Sequence, residues 1–136
     1  MATATVTVNV IKLNNQAMKD AAAALGISVT ELAELAGVDL KTLNGMSADE
    51  IKALEFTTDN VVWKLNDGNT GVVIAKYKGT KSSLTIDDKY YKLPGTEIGE
   101  GAFEGNEKLK EINLPSTVTV IGKRAFKNCV NLSKMQ

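Results

Sequence analysis

The residues that could do chemistry are few. The chain has no histidine and a single cysteine, Cys129. Without histidine, Ser-His-Asp and Cys-His nucleophiles, imidazole metal sites and the usual switch near neutral pH lack their parts. One thiol closes neither an internal disulfide nor a multi-thiolate zinc site. Cys129 therefore reads as a structural, buried or half-buried thiol. No imidazole stands beside it to lower its pKa, although Lys127 is near in sequence. The run Gly99-Glu-Gly101-Ala-Phe-Glu-Gly105 superficially resembles a phosphate-binding glycine loop, but its spacing is wrong and no helix or acidic partner follows. Asn66-Asp67-Gly68-Asn69 resembles part of a calcium loop without the glutamate at the twelfth position. A hairpin turn explains it better. No catalytic residue, metal ligand or cofactor is expected, and the chain reads as a non-enzyme.

The sharpest lead toward nucleic acid is Thr30-Glu-Leu-Ala33-Glu-Leu-Ala-Gly37-Val-Asp-Leu-Lys-Thr-Leu43. Alanine, then glycine four later, then leucine six after that fit a helix-turn-helix. Charge argues against it. Residues 14–56 hold Lys19, Lys41 and Lys52 against seven acidic residues, a net of −4. A surface that tracks phosphates needs several cations, and the second helix offers Lys41 alone. No nucleic-acid partner is expected.

The elements that would position any site follow from composition and pattern. The chain has 136 residues, 43% hydrophobic and 24% charged, with sixteen basic and sixteen acidic groups in balance. This is globular composition without a one-signed field for nucleic acid or anionic membrane. No apolar run is long enough to span a bilayer, and no membrane insertion is expected. The first ten residues lack a basic n-region and a long apolar stretch, so they do not read as a signal peptide. Residues 2–13 alternate as a strand. Residues 14–56 suggest short helices near 14–25, 28–36, 39–44 and 47–55. Ser28-Val-Thr-Glu31 and Ser47-Ala-Asp-Glu50 fit the capping box, and Gly26 and Gly37 stand where helices end. Residues 57–136 read as strands and turns, with a hairpin about Asp67-Gly68 whose glycine supplies a positive φ. The expected class is α+β, divided into 1–56, a strand and helical module, and 57–136, a hairpin and repeats.

The repeat is the most specific signal. Thr96, Ile98, Gly99, Ala102, Phe103 and Leu109 recur 23 residues later as Thr119, Ile121, Gly122, Ala125, Phe126 and Leu132. Ile112 and Met135 are an apolar match. A period in the twenties marks a solenoid, in which stacked turns make one continuous core. Ile98, Phe103, Leu109, Ile112, Leu114, Ile121, Phe126 and Leu132 are its expected inward residues. Pro115 ends a strand where its missing N–H does no harm.

The pattern Ile-Gly-x-x-Ala-Phe-x-x-Cys/Asn-x-x-Leu-x-x-Ile-x-Leu-Pro resembles the BspA-like leucine-rich repeats of bacterial cell-surface proteins. The resemblance runs over about residues 60–136. Leu84 and Ile86 match Ile112 and Leu114 at an offset of 28, five residues of extra loop around Asp87 to Pro94. Residues 1–56 are not covered. The resemblance implies a non-catalytic protein-binding or adhesion module on a cell surface or secreted, with a host or cell-surface protein as partner. A cytoplasmic location is left open. The alternatives are an intracellular or phage structural protein that uses the repeat for assembly and, less favoured, a DNA-binding regulator. In such repeats the residues between the inward apolar ones face the concave side. Here these are Lys110, Glu111, Asn113, Ser133, Lys134 and Gln136, with a solvated strand face as the plainer reading. The last repeat shows no polar cap. Two outcomes are expected for it: fraying after about residue 127, or self-association that buries Phe126, Leu132 and Met135 across a twofold axis.

Overall fold

The computed structural model describes residues 12–135. The architecture is mixed α and β. Four helices come first: α1 Gln16–Leu25, α2 Val29–Ala36, α3 Leu40–Asn44 and α4 Ala48–Lys52. Each starts at a side-chain cap. Asn15, Ser28, Asp39 and Ser47 accept from the amides of Met18, Glu31, Thr42 and Glu50. Only Ser47 and Glu50 close the reciprocal box; Ser28 makes the forward bond alone. Gly26 and Gly37 end α1 and α2 at φ 75° and 74°, where a Cβ would be strained. Asn15 does more than cap α1. Its Nδ2 donates to the carbonyls of Asn44 (3.0 Å) and Met46 (2.7 Å), clasping the start of α1 to the α3–α4 link. The strand expected over residues 2–13 falls mostly outside the described residues, and residues 12–15 are irregular.

Nine short strands follow: β1 Phe56–Thr58, β2 Val61–Leu65, β3 Val72–Tyr77, β4 Ser83–Thr85, β5 Lys89–Tyr90, β6 Leu93–Ile98, β7 Glu111–Asn113, β8 Val120–Ile121 and β9 Lys134–Met135. β1, β2 and β3 form an antiparallel meander. The β2–β3 turn differs from the expectation in one respect. The positive φ falls on Asn69 (54°), not on Gly68. Asparagine tolerates this region, and the Asn66 side chain organises the turn by accepting from the Thr70 amide at 2.9 Å.

Beyond the meander two parallel ladders repeat, β3–β6–β8 and β4–β7–β9. Ile74 pairs with Ile98, and Ile98 with Ile121, along β3–β6–β8. Leu84 pairs with Ile112, and Ile112 with Met135, along β4–β7–β9. The same bonds recur one unit on. Gly99 N donates to Ile74 O, and Gly122 N to Ile98 O, both at 2.7 Å. A Cβ on Gly122 would lie 2.6 Å from Glu100 N and 2.8 Å from Gly99 C. This approach of backbone to backbone is why the Ile-Gly pair repeats. The extra residues before β6 make a small hairpin, with Lys89 and Tyr90 of β5 opposite Pro94 and Leu93 of β6.

The buried cluster runs without a break from Met18 in α1 to Ala125 in the last unit. Ile98, Phe103, Leu109 and Ile112 are buried at 0–1% exposure. Leu114, Phe126 and Leu132 are half-buried. Ile121 departs from the inward reading: it is 50% exposed. Its counterpart Ile98 is covered by β8, whereas no described residue stacks on β8 in turn. Met135 is 47% exposed for the same reason.

Candidate binding surfaces

Strands β4, β7 and β9 lie side by side, so their alternate residues form rows across the sheet. Ser83, Glu111 and Lys134 make one row. Thr85 and Asn113 make the next. Within the rows, Ser83 Oγ donates to Glu111 Oε1 at 3.4 Å and Asn113 Nδ2 to Thr85 Oγ1 at 3.3 Å. Glu111 and Asn113 are half-buried; Lys134 is exposed. Lys110 and Ser133 are exposed beside the strands, and the Ser133 amide donates to the Lys110 carbonyl at 2.9 Å. Glu111, Asn113 and Lys134 thus lie with Ser83 and Thr85 on one polar, mixed-charge strand face, and Lys110 and Ser133 stand just before β7 and β9. Gln136 lies outside the described residues.

Cys129 is half-buried, and its thiol donates to the Phe103 carbonyl at 2.9 Å. Burial pushes its pKa up, with the Asn106 backbone pulling weakly the other way. The geometry is that of a packing thiol joining two repeats, not of a nucleophile. The glycine run Gly99 to Gly105 serves the repeat. Gly101 N donates to Lys123 O at 3.0 Å and Gly105 N to Lys127 O at 2.8 Å, so these amides hold the next unit instead of a phosphate.

One cavity had no signal in the sequence. An open cleft of about 530 Å³ lies where the end of α4 meets the outer face of β2, β3 and β6. Lys52, Lys64, Asp67, Glu97 and Glu100 rim it, and Val73 lies among its walls. Cations and carboxylates from distant segments meet there, and linear spacing cannot register such a meeting.

The helical segment does not present a recognition helix. Helix α3 has five residues, little more than one turn. Ala33 and Leu43 are buried at 3% and 0% and serve packing, and Gly37 caps α2. Lys41 is exposed, but Asp39 caps the same helix with its carboxyl. The Thr42 amide holds that carboxyl below the usual aspartate range, so it stays anionic where a phosphate would approach.

Comparison with known proteins bears on these surfaces. Residues 81–136 match the model of the BspA type leucine rich repeat region. A leucine rich repeat protein of T. pallidum is 28% identical over 60% of this chain and 38% of its own, with a TM-score of 0.57. A leucine rich cell surface protein from Faecalibacterium prausnitzii A2-165 is 31% identical over 61% of this chain and 23% of its own, with a TM-score of 0.54. A leucine-rich repeat protein from Bacteroides capillosus shares the fold at 21% identity and a TM-score of 0.55. The chain spans well under two thirds of the length of the first two. No curated protein matches the sequence.

Proposed function

We propose that this chain, whose residues 81–136 are BspA-type leucine-rich repeats, is a non-enzymatic protein-binding module of a surface-exposed or secreted bacterial protein. In this reading the repeats stack as a short solenoid, and residues 12–56 form a helical module that covers its first turn. The face made by β4, β7 and β9 is the binding surface. One observation carries the reading: parallel register aligns Ser83, Glu111 and Lys134, and Thr85 and Asn113, as rows of polar side chains outside a buried apolar line of Leu84 and Ile112. Such a face offers directional polar contacts on a rigid frame. The surface location is supported by what the Faecalibacterium relative is called, a leucine rich cell surface protein. No helix among the described residues is long and apolar enough to cross a membrane.

The test uses the immobilised chain against intact cells and host matrix proteins. Wild type retains a specific protein; a Glu111→Lys/Lys134→Glu variant of unchanged melting temperature retains it at least about tenfold less well. Equal retention by both forms removes this face as the binding surface.

A further inference from the structure

We propose that the hollow beside Tyr91 is a saccharide-binding site, in which a neutral sugar ring lies on the Tyr91 ring and its hydroxyls meet Asp87, Lys89 and Thr58. The site uses neither Glu111 nor Lys134 and is independent of the protein-binding reading of the strand face. Three observations point to a ligand of this kind.

The first is an aromatic residue where the backbone does not favour one. Tyr90 and Leu93 are partners in the β5–β6 hairpin, so Tyr91 and Lys92 form its two-residue turn. Tyr91 takes φ 57°, a place that glycine or asparagine usually fills. Of the six non-glycine residues at positive φ among those described, four are aspartate or asparagine, and Tyr91 is the one aromatic. The conformation strains any side chain with a Cβ. Burial of the ring does not offset that strain, since Tyr91 is 52% exposed. Trp63, at 6.2 Å and tilted by 46°, holds the ring from within and leaves much of it open to solvent. A strained backbone kept for an exposed ring argues that the ring itself is used.

The second is the hollow. Thr58, Asp87, Lys89, Tyr90 and Tyr91 line about 230 Å³ of open space between the two edges of the curled sheet, β1 and β5. That is below the roughly 300–1,000 Å³ of a site for a drug-sized ligand and suits one ring of a longer chain. A second hollow of about 320 Å³ adjoins it, sharing Asp87 and walled by Thr85, Asp88 and Asn113. Further units of an oligosaccharide would extend along this polar wall.

The third is the balance of polar groups, and it selects the ligand class. Asp87 and Lys89 are both exposed, and neither is in an ion pair among the described residues. A cationic ligand would gain from Asp87 and be opposed by Lys89; an anionic one would meet the reverse. A neutral polyol suits both, donating hydroxyls to the carboxylate and accepting from the ammonium. Thr58 Oγ1 accepts from Trp63 Nε1 at 3.1 Å and still holds a hydroxyl proton to donate. The Tyr91 ring adds the apolar surface on which the C–H face of a sugar rests.

The experiment titrates the full chain with trisaccharides of glucose, galactose, mannose and N-acetylglucosamine. It follows saturation-transfer NMR of the sugar and fluorescence of Trp63, the single tryptophan, which lies against Tyr91 and bonds to Thr58. The expected result is saturable binding of at least one trisaccharide with a Kd on the order of 1 mM, the range of a small ligand on a shallow site. Tyr91→Gly weakens it at least about tenfold while the melting temperature stays level or rises, because glycine accepts the positive φ. Asp87→Ala, on an exposed side chain, weakens it too, and Tyr91→Phe retains it. The Glu111→Lys/Lys134→Glu variant binds as wild type, which keeps this result apart from the strand-face test. No binding of any of the four up to about 20 mM, or binding that Tyr91→Gly leaves unchanged, overturns the proposal. So does saturable binding of tetramethylammonium in place of every sugar, since the hollow would then belong to a cation.

Discussion

Phe103 and Phe126 hold equivalent places in successive repeats and have unequal surroundings. Phe103 is 1% exposed, stacked on Phe126 on one side and 5.8 Å from Tyr77 on the other. Phe126 is half-buried. Phe103→Ala should cost about 3–5 kcal/mol and Phe126→Ala clearly less, because a cavity term needs a closed cavity. Denaturant unfolding checks both; equal costs would mean that the last repeat is covered. Alkali gives a second prediction. Burial raises the pKa of the Tyr90 phenol, with Asp87 adding to the rise, and burial likewise raises that of the Cys129 thiol. Both groups are held neutral in the fold. Their contribution is complete below the unfolded values, about 8.5 for a thiol and about 10 for a phenol, and is lost as pH rises past them. The denaturant midpoint should fall steadily between about pH 8 and 11, and Tyr90→Phe should flatten the upper half of that fall. The place of Phe103 was legible from its recurrence in the repeat. The exposure of Ile121 was not, because a repeat pattern records which residues face inward and not how many layers lie above them.

Elements whose logic is local agree closely with their sequence signals. Caps at Ser28 and Ser47 and glycine stops at Gly26 and Gly37 place α1, α2, α3 and α4 within a few residues of their expected bounds. The parallel register of β7 and β9 follows from the 23-residue period. Elements decided by contact between segments were not legible. The Asn15 clasp reaches across 29 and 31 residues to Asn44 and Met46. The extra loop before β6 folds into a hairpin whose Tyr90 ring packs 5.2 Å from Trp63. The cleft near Lys52 and Glu97 joins the end of α4 to β2, β3 and β6. Gly122 lies between these cases, since its recurrence was visible but its reason is a distance. A Cβ there meets the backbone of Gly99 and Glu100, which cannot move without parting β6 from β8. Gly122→Ala should destabilise by about 1–3 kcal/mol, read by thermal unfolding, although alanine is otherwise a mild change. A variant as stable as wild type would mean that the two repeats are not held this closely.

At the scale of the molecule, charge and core pull the description in different directions. The helical segment is acidic and the last repeat basic, yet the whole chain is neutral. With Lys41 on a one-turn helix capped by Asp39, a gel shift at physiological salt should show no DNA binding. Micromolar binding that needs Lys41 would contradict that. The core, by contrast, ignores the boundary near residue 56. Met18, Leu25, Leu32, Leu43 and Ile51 from the helices join Phe56, Trp63, Leu65 and Ile74 from the strands in one buried cluster. The Lys92 amide donates to the Leu25 carbonyl at 3.2 Å, tying the β5–β6 hairpin to the end of α1. Ile51 of α4 and Leu65 of β2 border the same small cleft. A chain beginning at residue 57 would keep every repeat and lose this cover. It would be a core of the size that seldom supplies more than about 3–5 kcal/mol. The full chain should therefore unfold in one transition, with fluorescence of Trp63 and far-ultraviolet dichroism of the helices changing together. The fragment from residue 57 should be unfolded or aggregated at the same temperature. Two separated transitions, or a soluble fragment with native Trp63 fluorescence, would make the helices an appendage and the strands a unit that folds alone.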